Sequence, residues 1–182
     1  MPAILWRRLD TPGFDRCELT ATPDGHRLAG TALVVFDDVP YEIRYTVITD
    51  RRWRTRTVGA HVQGPEGDRR LALTADGEGG WSVSDSPVLD LYGAIDVDLA
   101  WTPATNTLPV NRLELQVGEE TEITAAYIQF PAHEIKRVSQ RYQRIADQRY
   151  LYSQGSFRAE VAVDENGLVV DYQGVWESVT SS

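Results

Sequence analysis

Apolar and polar residues alternate along most of this chain, with the two-residue period of a β-strand that buries one face. In the clearest run, 40–50, four apolar side chains fall on the same face, namely Tyr41, Ile43, Tyr45 and Val47. Pro40 stands at the start of this run, where a strand tolerates the missing backbone donor. We therefore predict that half-buried strands form most of the structure.

Turn-forming residues separate these runs. The best hairpin is predicted near the C-terminal end, where Asn166-Gly167 supplies the left-handed backbone that a tight turn needs. Together the runs and turns predict about a dozen strands. They are expected near 4–8, 15–22, 26–37, 40–50, 53–63, 68–75, 94–101, 122–130, 134–145, 149–155, 157–164 and 168–177.

Two segments depart from the alternation. Between 102 and 118, prolines bracket a polar loop, and Pro109 suits the first turn of a short helix near 109–116. Over 134–145, apolar residues recur at three- and four-residue spacing, which is typical of a helix. We nevertheless predict a strand there, because 150–152 resembles a pairing strand and because Tyr and Val favour a pleated surface.

The length and composition suit one domain, expected to span 1–182. With 42% hydrophobic residues, the chain can build a core that needs no disulfide or metal. The predicted fold class is all-β and mainly antiparallel. We expect a single curved sheet that forms a half-barrel or a barrel-like sandwich, with one short helix near 109–116.

Charge and cysteine content indicate the setting of the protein. The 27 acidic and 18 basic residues give a net charge of −9, unlike the basic footprint of nucleic-acid binding, so no nucleic-acid partner is expected. The single cysteine, Cys17, favours a reducing compartment. No signal-peptide pattern is visible, and no apolar stretch approaches the roughly 20 residues of a membrane span. We expect a cytoplasmic protein with no integral membrane segment, and its oligomeric state stays open.

The usual signatures of catalysis and cofactor binding are missing from the sequence. There is no Gly-x-Ser-x-Gly motif, and the glycines of 77–80 precede Trp81 where a phosphate-binding loop would have Lys-Ser or Lys-Thr. His26, His61 and His133 lack the short spacing of zinc ligands. We expect no catalytic residues, no metal and no cofactor.

Two arginines form the first candidate site. Arg54 and Arg56 share the strand phase of an apolar set, Val58, Ala60 and Val62. Because an unpaired charge in a core is costly, either this face reaches solvent at residue 56 or the arginines line a cavity. In a cavity they need acidic partners or an anionic ligand, and Asp96 and Asp98 are natural partners.

These two aspartates form the second candidate site, within the strand-like run 95–101. Apolar residues occupy one face of this run, and the two carboxylates occupy the other. Two carboxylates on one face can serve as acid and base. Alternation with solvent-facing aspartates is the more common outcome.

Aromatic side chains form the third candidate group, with five Trp and eight Tyr in the chain. Both residue types combine an apolar ring with a polar handle, which suits stacking on a sugar ring or contact with an acyl chain. Core packing is their more common role. Those of interest are Trp6, Trp53, Trp81, Trp101, Trp176, Tyr142, Tyr150 and Tyr152.

Several motifs together resemble a bacterial family named putative glycolipid-binding. The most distinctive is Asp-Val-Asp-Leu-Ala-Trp-Thr-Pro-Ala-Thr-Asn-Thr-Leu-Pro at 96–109, and others lie at 53–56, 125–131, 140–142, 149–153, 163–169, Tyr172 and Trp176. The resemblance spans nearly the whole chain and implies a β half-barrel with a hydrophobic cavity, similar to bacterial lipoprotein and lipid carriers. One stretch departs from the family, because His-Glu-Ile-Lys at 133–136 replaces an expected apolar segment.

We therefore predict a non-catalytic binding protein for a small amphipathic ligand, a glycolipid or lipid-like molecule, in an apolar pocket. Arg54 and Arg56 are placed near its polar head group. The predicted ligand-binding residues are Trp53, Arg54, Arg56, Asp96, Asp98, Trp101, Asn106, Tyr142, Tyr152 and Trp176. Two alternatives stay open: a small hydrolase or isomerase that uses Asp96 or Asp98 as base in this pocket, and a structural or interaction domain with no cavity beyond water size.

Overall fold

The computed structural model describes residues 2–132 and 134–179. Within those residues, fifteen strands form one sheet. In chain order they are β1 (Ala3–Arg8), β2 (Gly13–Thr22), β3 (Gly25–Phe36), β4 (Val39–Asp50), β5 (Thr55–Gly64), β6 (Gly67–Ala75), β7 (Trp81–Val83), β8 (Ser86–Pro87), β9 (Asp96–Leu99), β10 (Glu120–Ile128), β11 (Ile135–Ala146), β12 (Arg149–Gln154), β13 (Phe157–Val163), β14 (Val169–Tyr172) and β15 (Trp176–Ser178). The helical segments are a helix α1 (Thr107–Leu113) and two 3-10 turns, Leu89–Leu91 and Ala104–Asn106.

The strands follow one another across the sheet in the order β8 to β1, then β15 back to β9. Neighbouring strands are antiparallel throughout, except that β9 runs parallel to β10. The first and last strands of the chain therefore pair at the middle of the sheet. The predicted all-β, mainly antiparallel fold is confirmed.

The sheet is strongly curved but not closed over the described residues. At its far edge, β9 meets the start of β5, where the Thr55 amide donates to the Ile95 carbonyl at 3.3 Å and the Val97 amide donates to Thr55 Oγ1 at 3.1 Å. Curvature of this kind follows from strand twist, which accumulates from strand to strand. The result is a half-barrel with a concave, buried side.

The segment 101–110 fills that concave side, and every one of its residues is buried. Several of its polar side chains find partners inside: Thr105 Oγ1 accepts from the Leu99 amide at 3.2 Å, and Asn106 Oδ1 accepts from the Tyr142 hydroxyl at 2.8 Å. Trp101 Nε1 and Thr107 Oγ1 are buried without a hydrogen-bond partner among the described residues. The segment predicted as a polar loop is therefore buried, and most of it is helical. The polar residue types of 101–110 are not typical of a buried segment, but the half-barrel supplies hydrogen-bond partners for several of them inside.

Most predicted strands are confirmed, including 134–145, which forms β11 despite its helical spacing. The predicted short helix is confirmed as α1, although it begins at Thr107. The strand predicted over 168–177 is divided into β14 and β15, because a turn at Gly174 with a positive φ separates them. The very short β7 and β8 were missed.

Candidate functional site

A cavity of about 260 Å³ opens between the buried segment 101–110 and the strands of the C-terminal half of the sheet. Its lining mixes one carboxylate, amides and hydroxyls with aromatic and aliphatic side chains. The lining residues are Asp98, Leu99, Ala100, Thr102, Asn106, Tyr127, Tyr152, Gln154, Phe157, Tyr172, Val175 and Trp176. The lining is thus part polar and part apolar, whereas the sequence prediction was of an apolar pocket.

Asp98, on β9, is the charged residue among these lining side chains. Its Oδ2 accepts a hydrogen bond from Gln140 Nε2 at 2.5 Å, and its Oδ1 accepts from Thr105 Oγ1 at 3.4 Å. Burial raises the pKa of Asp98 to about 6, although these two hydrogen bonds favour its charged form. A carboxyl group that titrates near neutrality thus faces the cavity.

A chain of side-chain hydrogen bonds links Asp98 to the cavity wall. The Gln140 amide that contacts Asp98 also donates to Gln154 Oε1 at 2.9 Å, and the same oxygen accepts from the Tyr152 hydroxyl at 2.8 Å. Gln140 is only 2% exposed, so its position is fixed inside the protein. The network therefore fixes the orientation of the Asp98 carboxylate, the Gln154 amide and the Tyr152 hydroxyl in the absence of a ligand.

Aromatic rings form the rest of the wall. The ring centroids of Tyr152, Phe157 and Tyr172 lie 5.9 to 6.2 Å from one another in tilted or edge-on pairs. Tyr127 and Trp176 add two more aromatic side chains. Phe157 is 45% exposed while it lines the cavity, so this apolar ring stands at the mouth.

Asp96 lies on the same strand but has a different role. It is 1% exposed, and both its oxygens accept hydrogen bonds from Arg112 on α1, at 3.0 Å from Nε and 2.6 Å from Nη2. Burial raises the pKa of Asp96, while the guanidinium lowers it. The expectation of solvent-facing aspartates was wrong, because the segment 101–110 covers this face of β9.

A second buried acid, Asp15, lies behind the cavity. The Tyr45 hydroxyl donates to Asp15 Oδ2 at 2.7 Å, and Thr102, which lines the cavity, donates to the same oxygen. Burial raises the pKa of Asp15 to about 7, against these two hydrogen bonds. Burial together with the Asp15 charge also raises the pKa of the neighbouring Cys17 thiol to about 12, so this thiol stays protonated and unreactive near neutral pH.

The two arginines predicted for the pocket lie elsewhere. Arg54 bonds Asp50 at 2.8 Å and contacts Glu78, and Arg56 is exposed and donates to the Asp76 carbonyl at 2.6 Å. The pairing of β4 with β5 slips by one residue at this point, so that Arg56 is the extra residue of a β-bulge. The bulge turns the strand, which places Thr55 inside and Arg56 outside, and it explains why the phase argument was wrong.

Trp53 also lies away from the cavity lining. Its ring stacks on His26 with centroids 3.7 Å apart and an angle of 7°. The residue adopts a positive φ of 63° in the turn before β5, where a non-glycine residue is uncommon. Trp53 and Arg54 therefore belong to a turn that the Asp50 carboxylate caps, since its Oδ1 accepts hydrogen bonds from the amides of Arg52 and Arg54. Arg56 follows within β5.

Of the ten predicted site residues, Asp98, Asn106, Tyr152 and Trp176 line the cavity. Tyr142 lies one contact away, bonded to Asn106 and edge-on to Tyr152 at 5.2 Å. Trp101 and Asp96 are buried and do not line it.

Sequence reasoning missed six side chains with clear roles in the wall, Thr102, Tyr127, Gln154, Phe157, Tyr172 and Val175. Tyr172 could have been found, because the alternation predicted over 168–177 places it on the same strand face as Leu168 and Val170, and it also belongs to the family motifs.

No group of three or more potential metal ligands is present among the residues that the structure describes. His61 pairs with Asp68 at 2.9 Å, and His26 stacks on Trp53 as above. His133 lies outside the described residues. The described part of the chain also contains no helix long and apolar enough to cross a membrane.

A larger concavity of about 450 Å³ lies at the tips of β3 to β6, beside Tyr41 and Pro131. Its other walls include exposed loop residues such as Asp37, Glu66 and Arg69. Buried polar side chains that converge on an interior point are absent from its described lining. We therefore take the smaller cavity around Asp98 as the candidate site.

The fold and cavity define an all-β half-barrel with an internal polar and aromatic cavity. The chain belongs to the family described as "Putative glycolipid-binding", whose family model matches residues 3–178. The crystal structure, at 1.80 Å resolution, of a DUF1089 family protein from Pseudomonas aeruginosa is similar, with a TM-score of 0.83, 34% identity and 91% of each chain covered. No curated protein matches the chain.

Proposed function

We propose that this chain binds a small amphipathic molecule, a glycolipid or lipid-like compound, whose polar head group occupies the cavity around Asp98. One observation carries the proposal: hydrogen-bonding groups held by a buried network converge inside a wall of aromatic rings. Carboxylate and amide groups recognise hydroxyls by hydrogen bonds, and aromatic faces pack on the apolar face of a sugar ring. The family description supports the same ligand class.

The size of the cavity restricts what it holds. At about 260 Å³ it lies just below the roughly 300–1,000 Å³ of sites that enclose drug-sized ligands. It accommodates a head group rather than a complete lipid. An acyl chain would leave past Phe157, the exposed apolar ring at the mouth.

The volume also bears on the alternative of a structural domain without a ligand. That interpretation expects no cavity beyond water size, and one water occupies about 30 Å³ of liquid volume. The observed cavity is several times larger. Its size and converging polar groups favour a bound molecule.

Extraction of the purified protein tests the proposal. The chain is expressed in a bacterial host, purified without detergent, extracted with organic solvent and analysed by mass spectrometry. We expect a lipid-sized molecule from the unchanged protein and its loss from Ala100→Trp, which places a large ring in the cavity. Ala72→Trp, on the outer concavity of β5 and β6, is the matched control and should retain the molecule. If neither the unchanged chain nor the control releases a ligand, the proposal fails.

A hydrolase or isomerase that uses Asp98 as base is the second candidate. The inward position of this carboxyl and its pKa of about 6 favour it, since a base works best when its pKa lies near the operating pH. Asp96 is not its acid partner, because Arg112 holds both of its oxygens. Turnover that survives Asp98→Asn, on a substrate found by screening, would exclude this role for Asp98.

A further inference from the structure

The charge balance of the cavity wall points to the class of head group. Asp98 is the charged side chain of the described lining, and no Lys, Arg or His lines the cavity with it. Its hydrogen-bond donors, Gln140 and Thr105, are neutral. Because no basic side chain of the described lining bonds this carboxylate, it can pair with a positively charged ligand.

Two arginines of the described chain lie close to the cavity, and each is bonded to an acidic side chain other than Asp98, although Arg8 Nη1 is buried without a hydrogen-bond partner. Arg112 is occupied by Asp96, as described above. Arg8 lies between the rings of Phe36 and Trp176, 4.6 and 5.5 Å from their centroids, and its Nε and Nη2 bond Asp10 at 2.6 and 3.0 Å. Neither guanidinium bonds Asp98.

Three tyrosines line the cavity together with the Asp98 carboxylate. Tyr127, Tyr152 and Tyr172 all lie close enough for the Asp98 charge to raise the pKa of each hydroxyl, after the larger effect of burial. A cation held within about 6 Å of an aromatic face is attracted by the ring, and desolvation strengthens this attraction. Rings and carboxylate together make an environment for an ammonium group.

We propose that the cavity selects a head group that carries a positive charge, a protonated amino sugar or a quaternary ammonium, with Asp98 as its counter-ion and the tyrosine rings as its cage. This inference rests on the proposed binding function and narrows it to a cationic ligand. Both ammonium types share the recognising chemistry, and matched probes separate them.

Titration calorimetry at pH 7.5 with pairs that differ in charge tests the inference. Choline is compared with 3,3-dimethyl-1-butanol, its uncharged analogue, and glucosamine with glucose. We expect at least one cationic probe to bind about tenfold more tightly than its neutral partner. Equal affinities within a pair that binds, or no binding of either cation at high millimolar concentration, would overturn the inference.

Substitutions test which residues cause the preference for cationic over neutral probes. Asp98→Asn should bring the cationic and neutral probes to within about twofold of each other, while Asp171→Asn, the same change on the solvent side of β14, should retain the full difference. Tyr172→Phe should retain the preference because the ring is kept, and Tyr172→Leu should weaken it. Thermal unfolding of each variant confirms that the fold persists. A preference that survives Asp98→Asn in the folded protein contradicts the assignment.

The pH dependence gives a second readout. On its own strand, Asp98 has Asp96 with its partner Arg112. The described groups around it on other elements are Tyr127, Gln140, Tyr142, Tyr152 and Tyr172. The charge of Arg8 acts on Tyr127, and Asp15 lies behind Thr102. Cation affinity should fall about tenfold between pH 7 and pH 5 as Asp98 becomes protonated. The same series in Asp98→Asn, which keeps Asp15, should be flat over this range.

The two proposals fail in distinguishable ways. In one outcome, the extraction recovers a lipid that has no amine or quaternary ammonium, while charged and neutral probes bind equally. This result would support the proposed binding function and contradict the cationic head group. An extract that contains no ligand would contradict the proposed binding function itself.

Discussion

The side-chain amide of Gln140 donates to the carboxylate of Asp98 at 2.5 Å across the wall of the cavity, from β11 to β9. Gln140 lies on the buried face of β11, and β10 separates the two strands in the sheet. The contact therefore bridges over one strand on the concave side. It stabilises the charged form of a carboxyl group that burial would otherwise keep protonated.

Removing this donor should raise the pKa of Asp98 further. In Gln140→Met, which preserves the side-chain length, we expect the pKa of Asp98 to rise above about 6, because the hydrogen bond that favours its charged form is lost. Carbon-13 NMR titration of the Asp98 carboxyl measures it. Gln143→Met, on the same strand but outside the network, is the control and should leave the value unchanged. An unaltered pKa in Gln140→Met would show that the hydrogen bond does not set the charge of Asp98.

The buried pair of Asp96 and Arg112 should be important for stability. Arg112→Met leaves a carboxylate that is 1% exposed without its cation, and we expect a loss of about 3–5 kcal/mol in the free energy of unfolding. Urea denaturation at pH 7 measures the loss.

Two further variants make this prediction specific. Arg141→Met, which breaks an exposed pair with Glu120, should cost less than about 1 kcal/mol. The double variant Asp96→Asn/Arg112→Met should recover much of the loss, because no buried charge then stays unpaired. A cost for Arg112→Met as small as that of Arg141→Met would contradict the role assigned to the pair.

Asp15 should make stability depend on pH. Its pKa is raised from 3.8 to about 7 in the folded protein, so folding favours the protonated form. This contribution is fully present below pH 3.8 and is lost as the pH rises towards 7.

The variant Asp15→Asn removes that titration while it keeps an acceptor for Tyr45 and Thr102. Between pH 4 and pH 8 its stability should therefore rise relative to the unchanged protein, by about 4 kcal/mol at the upper limit. Thermal or urea denaturation across this range gives the difference. If the difference in free energy of unfolding between the two proteins does not change with pH, Asp15 titrates as an ordinary carboxyl group.

Arg54, in the turn before β5, and Arg56, within β5, should not affect ligand binding. Arg54 and Arg56 bond Asp50, Glu78 and the Asp76 carbonyl rather than the cavity. Arg54→Ala combined with Arg56→Ala is expected to leave probe affinity within about twofold, with a stability cost of about 1 kcal/mol or less. A large loss of affinity would show that these arginines contribute to ligand binding. It would contradict the conclusion that the bulge places them outside the site.

Local pattern was sufficient for most of the fold. Alternation placed Tyr45 and Val47 inside on β4, and context correctly made β11 a strand although its apolar residues recur at helical spacing. Two-residue periodicity succeeds because each strand of a one-sided sheet must bury one face. It carried no information on strand order or on the return of β9 to β5, since those depend on twist summed over the sheet.

The candidate site depended on features that periodicity does not encode. The bulge at Arg56 shifted the phase of β5 by one residue, so the two arginines moved outside. Asp98 was found, yet its burial follows from the segment 101–110, whose polar residues gave no sign of an interior position. Phe157 and Tyr127 enter the wall from distant strands, and only the three-dimensional arrangement brings them to Asp98.

The position of a bound ligand tests the central claim most directly. A crystal structure of the chain with the molecule recovered by extraction, or with the tightest cationic probe, would show which cavity it occupies. We predict a head group beside the Asp98 carboxylate, in contact with the rings of Tyr152 and Tyr172. A ligand seated instead in the concavity beside Tyr41 and Pro131, with the Asp98 cavity unchanged, would contradict the account.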